Sequence, residues 1–150
     1  MTSTATTTYR EARDLLLARR DSYDDAVRDF AWPRFDGPFN WAVDWFDAIA
    51  AGNDRRALWI VEQDGSEQAW TFDELRLASD RVAAWLAGHG VVKGSRVMLM
   101  LGNQVELWQS VLAVMKLGAV VLPTTTALGT DDLQDRVDRA PRQPRQTPAP

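Results

Sequence analysis

Apolar residues recur at helical spacing after Thr71, and this is the clearest element that the sequence predicts. Thr71 has Glu74 three residues later, the spacing of a capping box that satisfies two backbone amides at a helix start. The expected buried face repeats every three or four residues and comprises Phe72, Leu75, Ala78, Val82, Trp85 and Leu86. Gly88 and Gly90 end the pattern, so a helix is predicted from about residue 72 to residue 88.

The segment after Asn40 predicts an earlier helix. Asn40 can cap a helix from Trp41 to about Ala51, because its side-chain oxygen can accept from the first free amides. The apolar stripe of this helix comprises Trp41, Trp45, Phe46 and Ile49. Two short apolar runs at residues 57–61 and 69–71 then predict a pair of strands joined by a turn.

A strand, a helix and a second strand follow in order. Residues 96–101 and 119–122 are short apolar runs, typical of parallel strands that are covered on both faces. Between them, Asn103 can cap a helix with Glu106 in the capping-box position, and Gly118 can supply a left-handed C-terminal turn. The buried side of that helix is predicted to comprise Trp108, Val111, Leu112 and Met115. The predicted fold class is therefore α/β, with a mainly parallel sheet and flanking helices.

The two ends of the chain differ from this pattern. Residues 1–8 are rich in threonine and are predicted to be a disordered N-terminus. Residues 9–30 predict one or two surface helices, and residues 32–38 form a connector bracketed by prolines. Residues 130–140 predict a last helix. Residues 141–150 contain four prolines and no large apolar side chain, so a disordered Pro/Arg/Gln tail is expected there.

Composition narrows the possible functions. The net charge is −4 and the predicted pI is about 4.9, so no overall positive field attracts nucleic acid. The chain has no cysteine and one histidine, His89, which excludes disulfides, thiolate zinc sites and sites with several histidines. No apolar run is long enough to cross a bilayer, and no signal peptide precedes the first helix. A cytoplasmic location is expected.

Residues 88–95 contain three glycines, as nucleotide-binding loops often do, but the order of residues and flanking elements differs from such loops. A dinucleotide fingerprint follows a strand and opens a helix, whereas these glycines follow a helix and precede a strand. A Walker loop needs Gly-Lys-Ser, whereas the chain has Lys93-Gly94-Ser95. We favour a helix stop and a turn. His89 has no serine or second histidine placed to pair with it, so a catalytic role is not favoured.

Three other groups of residues could take part in chemistry. The threonine-rich loop 124–130 could bind a phosphate, although a turn satisfied by its own hydroxyls is favoured. Four aspartates could be metal ligands or a solvated helix face, the second being favoured: Asp131, Asp132, Asp135 and Asp138. Asp135 and Arg139 have the spacing of an ion pair. Four of the seven tryptophans lie on apolar stripes, which favours core packing over base stacking: Trp41, Trp45, Trp85 and Trp108. We assign no catalytic, cofactor-binding or metal-binding residue.

The order of these segments resembles the adenylate-forming superfamily, and within it the medium-chain-type acyl-CoA synthetases. The segments that carry the resemblance are residues 31–35, 39–47, 70–75, 90–97 and 115–123. Residues 70–75, Trp-Thr-Phe-Asp-Glu-Leu, are similar to the first core motif of the family, and residues 115–123 to the second. Ser95 stands where the family usually has aspartate. The resemblance covers about residues 9–140, which we interpret as part of the N-terminal domain of a synthetase.

The resemblance implies that a carboxylic acid, such as a fatty acid, is activated by ATP and magnesium and then transferred to coenzyme A. The family's phosphate-binding loop, adenine-binding aromatic residue, ribose-binding aspartate and catalytic lysine have no counterpart in this sequence. We therefore expect a fragment, from a truncated or frameshifted reading frame, that binds none of these cofactors well and is inactive alone. Its exposed sheet edge predicts self-association. The alternative is a non-enzymatic α/β binding or protein-interaction module.

Overall fold

The computed structural model describes residues 4–140. The helices are α1 (Thr4–Ala18), α2 (Tyr23–Asp29), a π-helix (Trp41–Asp47) that continues as α3 (Ala48–Ala50), α4 (Phe72–Gly88), α5 (Val105–Lys116) and α6 (Thr130–Arg139). The strands are β1 (Arg56–Val61), β2 (Glu67–Thr71), β3 (Arg96–Leu99) and β4 (Val120–Pro123). Each predicted helix and strand within these residues is present, with ends shifted by a few residues.

The N-terminal helix begins earlier than the sequence indicated. Residues 4–8, predicted to be disordered, form the first turns of α1, so the prediction is wrong there; residues 1–3 lie outside the described part. The physical reason is a tertiary contact, because Thr6 is 2% exposed and its hydroxyl donates to the carbonyl of Asp44 in the π-helix. Tyr9 adds an edge-on aromatic contact with Trp45 at 4.7 Å between ring centroids.

The Asn40 cap is confirmed. Its side-chain oxygen accepts from the backbone amides of Ala42 (3.0 Å) and Val43 (3.4 Å). The predicted helix from Trp41 to Ala51 is also present, but its first seven residues have the wider turns of a π-helix. Ala42, Trp45 and Phe46 of this segment are buried.

The β1–β2 hairpin is antiparallel and leads directly into α4. The capping box is confirmed, because the Glu74 amide donates to the Thr71 hydroxyl at 3.1 Å and the Thr71 amide donates to the Glu74 carboxylate at 2.8 Å. The predicted buried face is wrong at Trp85, which is 61% exposed. The small residues Ser79 and Ala83 point inward instead. Small side chains on that face let α5 approach the α4 backbone closely.

Strands β3 and β4 pair in parallel, with α5 as their connection. Gly118 has φ +65°, which confirms the left-handed turn. The Asn103–Glu106 capping box is wrong, because α5 begins at Val105 after Gln104 and has no side-chain cap. Asn103 instead accepts a long hydrogen bond (3.4 Å) from the indole of Trp108. Trp108 is 44% exposed, so the predicted burial of this side chain is wrong.

The α/β fold class is confirmed. Among residues 4–140, β1 and β2 form one antiparallel pair and β3 and β4 form a separate parallel pair. The main apolar core lies where the π-helix and α3 meet the hairpin, α4 and α5, and comprises Ala42, Phe46, Ala50, Ile60, Leu75, Val105 and Leu112.

Helix α6 contributes no residue to this core. Its Asp135–Arg139 ion pair is confirmed at 2.7 Å, and none of its residues is buried. The predicted tail, residues 141–150, lies outside the described residues. No helix within residues 4–140 has both the length and the apolar character that crossing a bilayer requires.

The two capping boxes suggest a matched pair of substitutions. Thr71→Ala removes a cap that is formed, so we expect the free energy of unfolding to fall by about 1 kcal/mol. Asn103→Ala removes a cap that is not formed, so we expect a change within about 0.5 kcal/mol. Urea midpoints followed by circular dichroism measure both values. Equal losses for the two variants would contradict the structural assignment of these helix starts.

Candidate functional site

The most highly organised polar cluster of the described chain surrounds Lys116. Its side chain is only 6% exposed, although it lies in the last turn of α5. Its Nζ lies 2.8 Å from Asp47 Oδ1 and 2.6 Å from Asp80 Oδ1, and donates to the Arg76 carbonyl at 3.3 Å. One ammonium group therefore contacts both the end of the π-helix and the middle of α4.

Arg76 extends this cluster toward the start of α4. Its guanidinium pairs with Asp73 at 2.8 Å and with Asp80 at 3.5 Å. Asp73 also accepts the backbone amide of Gly52 at 3.0 Å, which ties the turn after α3 to α4. We call Asp47, Asp73, Arg76, Asp80 and Lys116 the charge cluster.

The pKa values of Asp47 and Asp73 in the charge cluster are shifted in opposite directions. Burial raises the pKa of Asp47 above its usual value, and the hydrogen bond and charge of Lys116 oppose that rise. The Asp47 Oδ1 atom is buried, and the Lys116 ammonium lies 2.8 Å from it as its ion-pair partner. The Gly52 amide and the Arg76 guanidinium lower the pKa of Asp73.

A groove of about 570 Å³ lies beside the charge cluster. It is lined by residues 38–41, Asp44, Lys93 and residues 115–119. Asn40 Nδ2 donates to the Met115 carbonyl at 2.7 Å and to the Lys116 carbonyl at 3.3 Å, so it satisfies the end of α5 as well as capping the π-helix. The Asn40 side chain therefore joins two chain segments at this groove.

Sequence reasoning did not identify the charge cluster. Its members are spread over the π-helix, α4 and α5, and no motif spacing joins them. One signal was available, because Lys116 lies in an otherwise apolar stretch between Met115 and Leu117 and is one of only two lysines. A cation there must find partners if it is buried.

The glycines of residues 88–95 form the predicted helix stop and turn. Gly90 and Gly94 have φ values of +86° and +82°. The Gly94 amide donates to the Gly118 carbonyl at 2.9 Å, and the Val92 amide donates to the Ser95 hydroxyl at 3.0 Å. The turn is thus held by its own hydrogen bonds and by the end of α5.

His89 contacts the helix that it follows. Its Nδ1 lies 2.8 Å from the Trp85 carbonyl, and a carbonyl only accepts, so Nδ1 carries the hydrogen. Its ring lies 4.1 Å from that of Trp85. These contacts of His89 are those of a residue at a helix end.

The threonine loop lies at the carboxyl ends of β3 and β4, where ligands of parallel sheets sit. Thr124 is buried, its amide donates to the Leu99 carbonyl at 2.8 Å, and its hydroxyl donates to the Leu122 carbonyl at 3.3 Å. The Thr125 hydroxyl accepts from the Ala127 amide at 3.3 Å. The favoured interpretation, a turn satisfied by its own hydroxyls, is confirmed for these two threonines.

The remaining candidates are structural. Residues 4–140 contain no cluster of three or more histidine, aspartate or glutamate side chains suited to a metal ion. Asp135 pairs with Arg139, and Asp138 accepts from Gln134, as expected of a solvated helix face. The prediction of core packing is correct for Trp45 and wrong for Trp41, Trp85 and Trp108. The assignment of no catalytic or ligand-binding residue stays a prediction.

Comparisons with known proteins identify the family that the chain matches. Residues 45–141 match the family described as AMP-binding enzyme. The mitochondrial acyl-coenzyme A synthetase ACSM5 of Rattus norvegicus is 38% identical over 85 residues, 56% of this chain and 15% of that protein. ACSM3 of Mus musculus is 30% identical over 138 residues, 86% of this chain and 23% of that protein.

Two solved structures are also similar to the chain. An acyl-CoA synthetase of Brucella canis superposes with a TM-score of 0.69 at 29% identity, over 79% of this chain and 23% of that one. CmiS6 superposes with a TM-score of 0.61 at 26% identity, over 74% of this chain and 27% of that one. The chain thus spans about a quarter or less of the length of these relatives. The resemblance inferred from the motifs is confirmed.

The charge cluster predicts a large effect of substitution at Lys116. Lys116→Met leaves the partly buried Asp47 carboxylate without its cation, so we expect a loss of about 1.5–3 kcal/mol in the free energy of unfolding. Lys93→Met, at the other lysine, is the control and should change it by less than about 0.5 kcal/mol, because Lys93 is exposed. Urea unfolding at neutral pH measures both. A small loss for Lys116→Met would show that the cluster does not hold the helices together.

The same variant should respond to pH in a defined direction. Without Lys116 the pKa of Asp47 rises further above its unfolded value, because the group that lowers it is gone. A raised carboxyl pKa gives stability at low pH that is lost as pH rises through the folded pKa. The deficit of Lys116→Met relative to the native chain should therefore shrink as pH falls toward about 4, near the pKa of an unfolded aspartate.

The double variant Lys116→Met/Asp47→Asn is the control for the pH dependence of the stability deficit. Its deficit should lack this pH dependence, because the neutral amide has no proton to gain. Parallel urea curves at neutral and acidic pH compare the variants. A deficit for Lys116→Met that stays constant or grows on acidification would contradict the role assigned to Asp47.

Proposed function

Since the chain belongs to the AMP-binding enzyme family, we propose that it is the N-terminal part of an ATP-dependent acyl-CoA synthetase. In such enzymes a carboxylic acid is activated to an acyl-adenylate with ATP and magnesium and is then transferred to coenzyme A. The match over residues 45–141, together with relatives that are acyl-coenzyme A synthetases, carries this proposal. A fatty acid substrate and a cytoplasmic location are parts of the same proposal.

In this proposal, residues 4–140 act as a structural scaffold of the synthetase and supply no catalytic residue. Its charge cluster and the Asn40 bridge fix the π-helix, α4 and α5 to one another, and α5 leads through Gly118 into β4. The threonine loop at the end of β4 is closed by its own hydrogen bonds. We propose that the chain alone binds ATP, magnesium and coenzyme A poorly and forms no thioester.

A second function has a specific observation in its favour. Trp85 on α4 and Trp108 on α5 are exposed aromatic side chains on two helices that pack against each other. Exposed aromatic residues are typical of protein interfaces. The alternative is therefore a non-enzymatic module that uses these helices to contact a partner.

A chimera tests the scaffold proposal. Residues 9–140 would replace the matching segment of the Brucella canis synthetase, and thioester formation would be measured with ATP, magnesium, coenzyme A and acids of several chain lengths. We expect the chimera to be active and the chain alone to be inactive. The same chimera with Lys116→Met should lose most of its folded yield, because the helices that carry the scaffold are no longer fixed.

The activity of the chimera distinguishes the synthetase proposal from the interaction module. A soluble, folded chimera without adenylate or thioester formation would contradict the synthetase proposal and favour the interaction module. Thioester formation by the chain alone would contradict the proposed lack of activity. A control chimera carries a shuffled sequence in place of residues 9–140. It shows whether the rest of the Brucella canis synthetase is active without this segment.

We also propose self-association of the isolated chain through the outer edges of the β3–β4 pair. Each of these strands pairs on one side within residues 4–140, so the other side presents backbone donors and acceptors. Sedimentation velocity over a dilution series should show species larger than a monomer that diminish on dilution. A single monomeric species throughout the series would refute the proposal.

A further inference from the structure

The two lysine amines of the chain lie in opposite environments. Lys93 and Lys116 are its only lysines. The Lys116 side chain is 6% exposed, and its ammonium is held by the carboxylates of Asp47 and Asp80. Lys93 is exposed, and its ammonium has no hydrogen bond or ion pair with another residue of the described part. Lys93 therefore presents the one lysine amine within residues 4–140 that a reagent in solution can reach directly.

The stem of Lys93 lies against the turn that follows α5. A Cβ atom at Gly118 would lie 3.2 Å from Lys93 Cγ, so the absence of a side chain at this glycine leaves the room that the lysine stem fills. The Gly94 amide donates to the Gly118 carbonyl at 2.9 Å, which fixes the residue next to Lys93. An ordinary surface lysine has a flexible stem, whereas Lys93 combines a seated stem with an unpaired amine.

Lys93 lines the groove of about 570 Å³ that lies beside the charge cluster. Proteins hold small ligands in clefts of roughly this size, and such clefts are lined mainly by aromatic and aliphatic side chains with a few polar groups. The lining of this groove includes Phe39, Trp41 and Leu117, and Trp41 is 38% exposed. The groove thus joins one nucleophilic amine to apolar side chains on which an aliphatic chain can lie.

An amine beside an apolar groove is suited to accept an acyl group. We propose that Lys93 is a modification site that acyl-adenylates acylate, with the aliphatic chain of the donor lying along the groove. The inference rests on the proposed function, because a synthetase forms the acyl-adenylate. The neutral amine of Lys93 bonds to the carbonyl carbon, and the bond between that carbon and the phosphate oxygen breaks. AMP leaves with the electron pair, the amine proton passes to water, and the product is an amide.

Synthetic octanoyl-adenylate and acetyl-adenylate are the probes for this site. The full chain would be treated with each donor at equal concentration, and the acylated positions would be quantified over time by mass spectrometry of peptides. With either donor we expect Lys93 to react at least about tenfold faster than Lys116, because a buried amine reacts only after local opening of the fold. In concentrated urea the two rates should become equal, because the protection of Lys116 depends on the folded charge cluster.

Exposure alone makes a surface lysine reactive, so the decisive comparison is with a lysine outside the groove. Arg81 is exposed on α4 and does not line the groove, so Arg81→Lys introduces an ordinary surface amine. With octanoyl-adenylate, Lys93 should react at least about fivefold faster than this introduced amine, because apolar burial of the longer chain favours attack in the groove. With acetyl-adenylate the two rates should agree within about twofold, because the short acyl group buries little apolar surface. Lys93→Arg should abolish the fast octanoyl transfer and keep the circular dichroism of the native chain.

The results for Lys93 are separate from those for the proposed function. Equal octanoyl transfer to Lys93 and to the introduced amine, or a preference for Lys93 that is the same with both donors, would overturn the acylation site in the groove. Labelling of Lys116 as fast as that of Lys93 in the folded chain would overturn the assignment of the accessible amine. Because both donors are synthetic, neither result depends on adenylate formation. Absence of thioester formation by the chimera would instead overturn the proposed function and leave the rates at Lys93 unaffected.

Discussion

The burial of one ammonium group is the constraint on which the arrangement of helices depends. Removing a lysine charge from water costs several kcal/mol, which is offset only when oppositely charged groups approach closely. Lys116 has Asp47 at 2.8 Å and Asp80 at 2.6 Å, and these carboxylates belong to two different elements. The π-helix and α4 must therefore both reach the end of α5, which leaves little freedom in how the three segments pack.

The packing between α4 and α5 is consistent with this constraint. Ser79 and Ala83 face inward on α4, so the helix presents small side chains where Lys116 arrives. The Ser79 hydroxyl donates to the Arg76 carbonyl at 2.9 Å, and the Lys116 ammonium donates to the same oxygen at 3.3 Å. A larger residue at either inward position would separate the helices and weaken the ion pairs, so the apolar and charged contacts stabilise one geometry.

The sequence predicted correctly two helix caps that depend on residues close together in the chain. The Thr71–Glu74 box and the Asn40 cap join residues a few positions apart, and both were predictable from spacing alone. The second role of Asn40, its bond to the Met115 carbonyl, joins distant residues and has no sequence pattern. Trp85 was misplaced for a related reason. Apolar residues cover a wide arc of α4, so the helical period alone does not show which of them is buried. Close packing against α5 favours the small side chain of Ala83 over that of Trp85.

The polar groups and the apolar surfaces of the described chain have different partners. Asn40, Lys116 and the threonine loop are occupied by bonds within residues 4–140, which position helices and close turns. Large apolar side chains that are exposed, among them Trp85, Trp108 and Val120, lie outside these networks. A free catalytic domain would be expected to keep some polar groups directed at a ligand and to cover its sheet. The observed distribution is consistent with the proposed scaffold, whose buried polar side chains position helices.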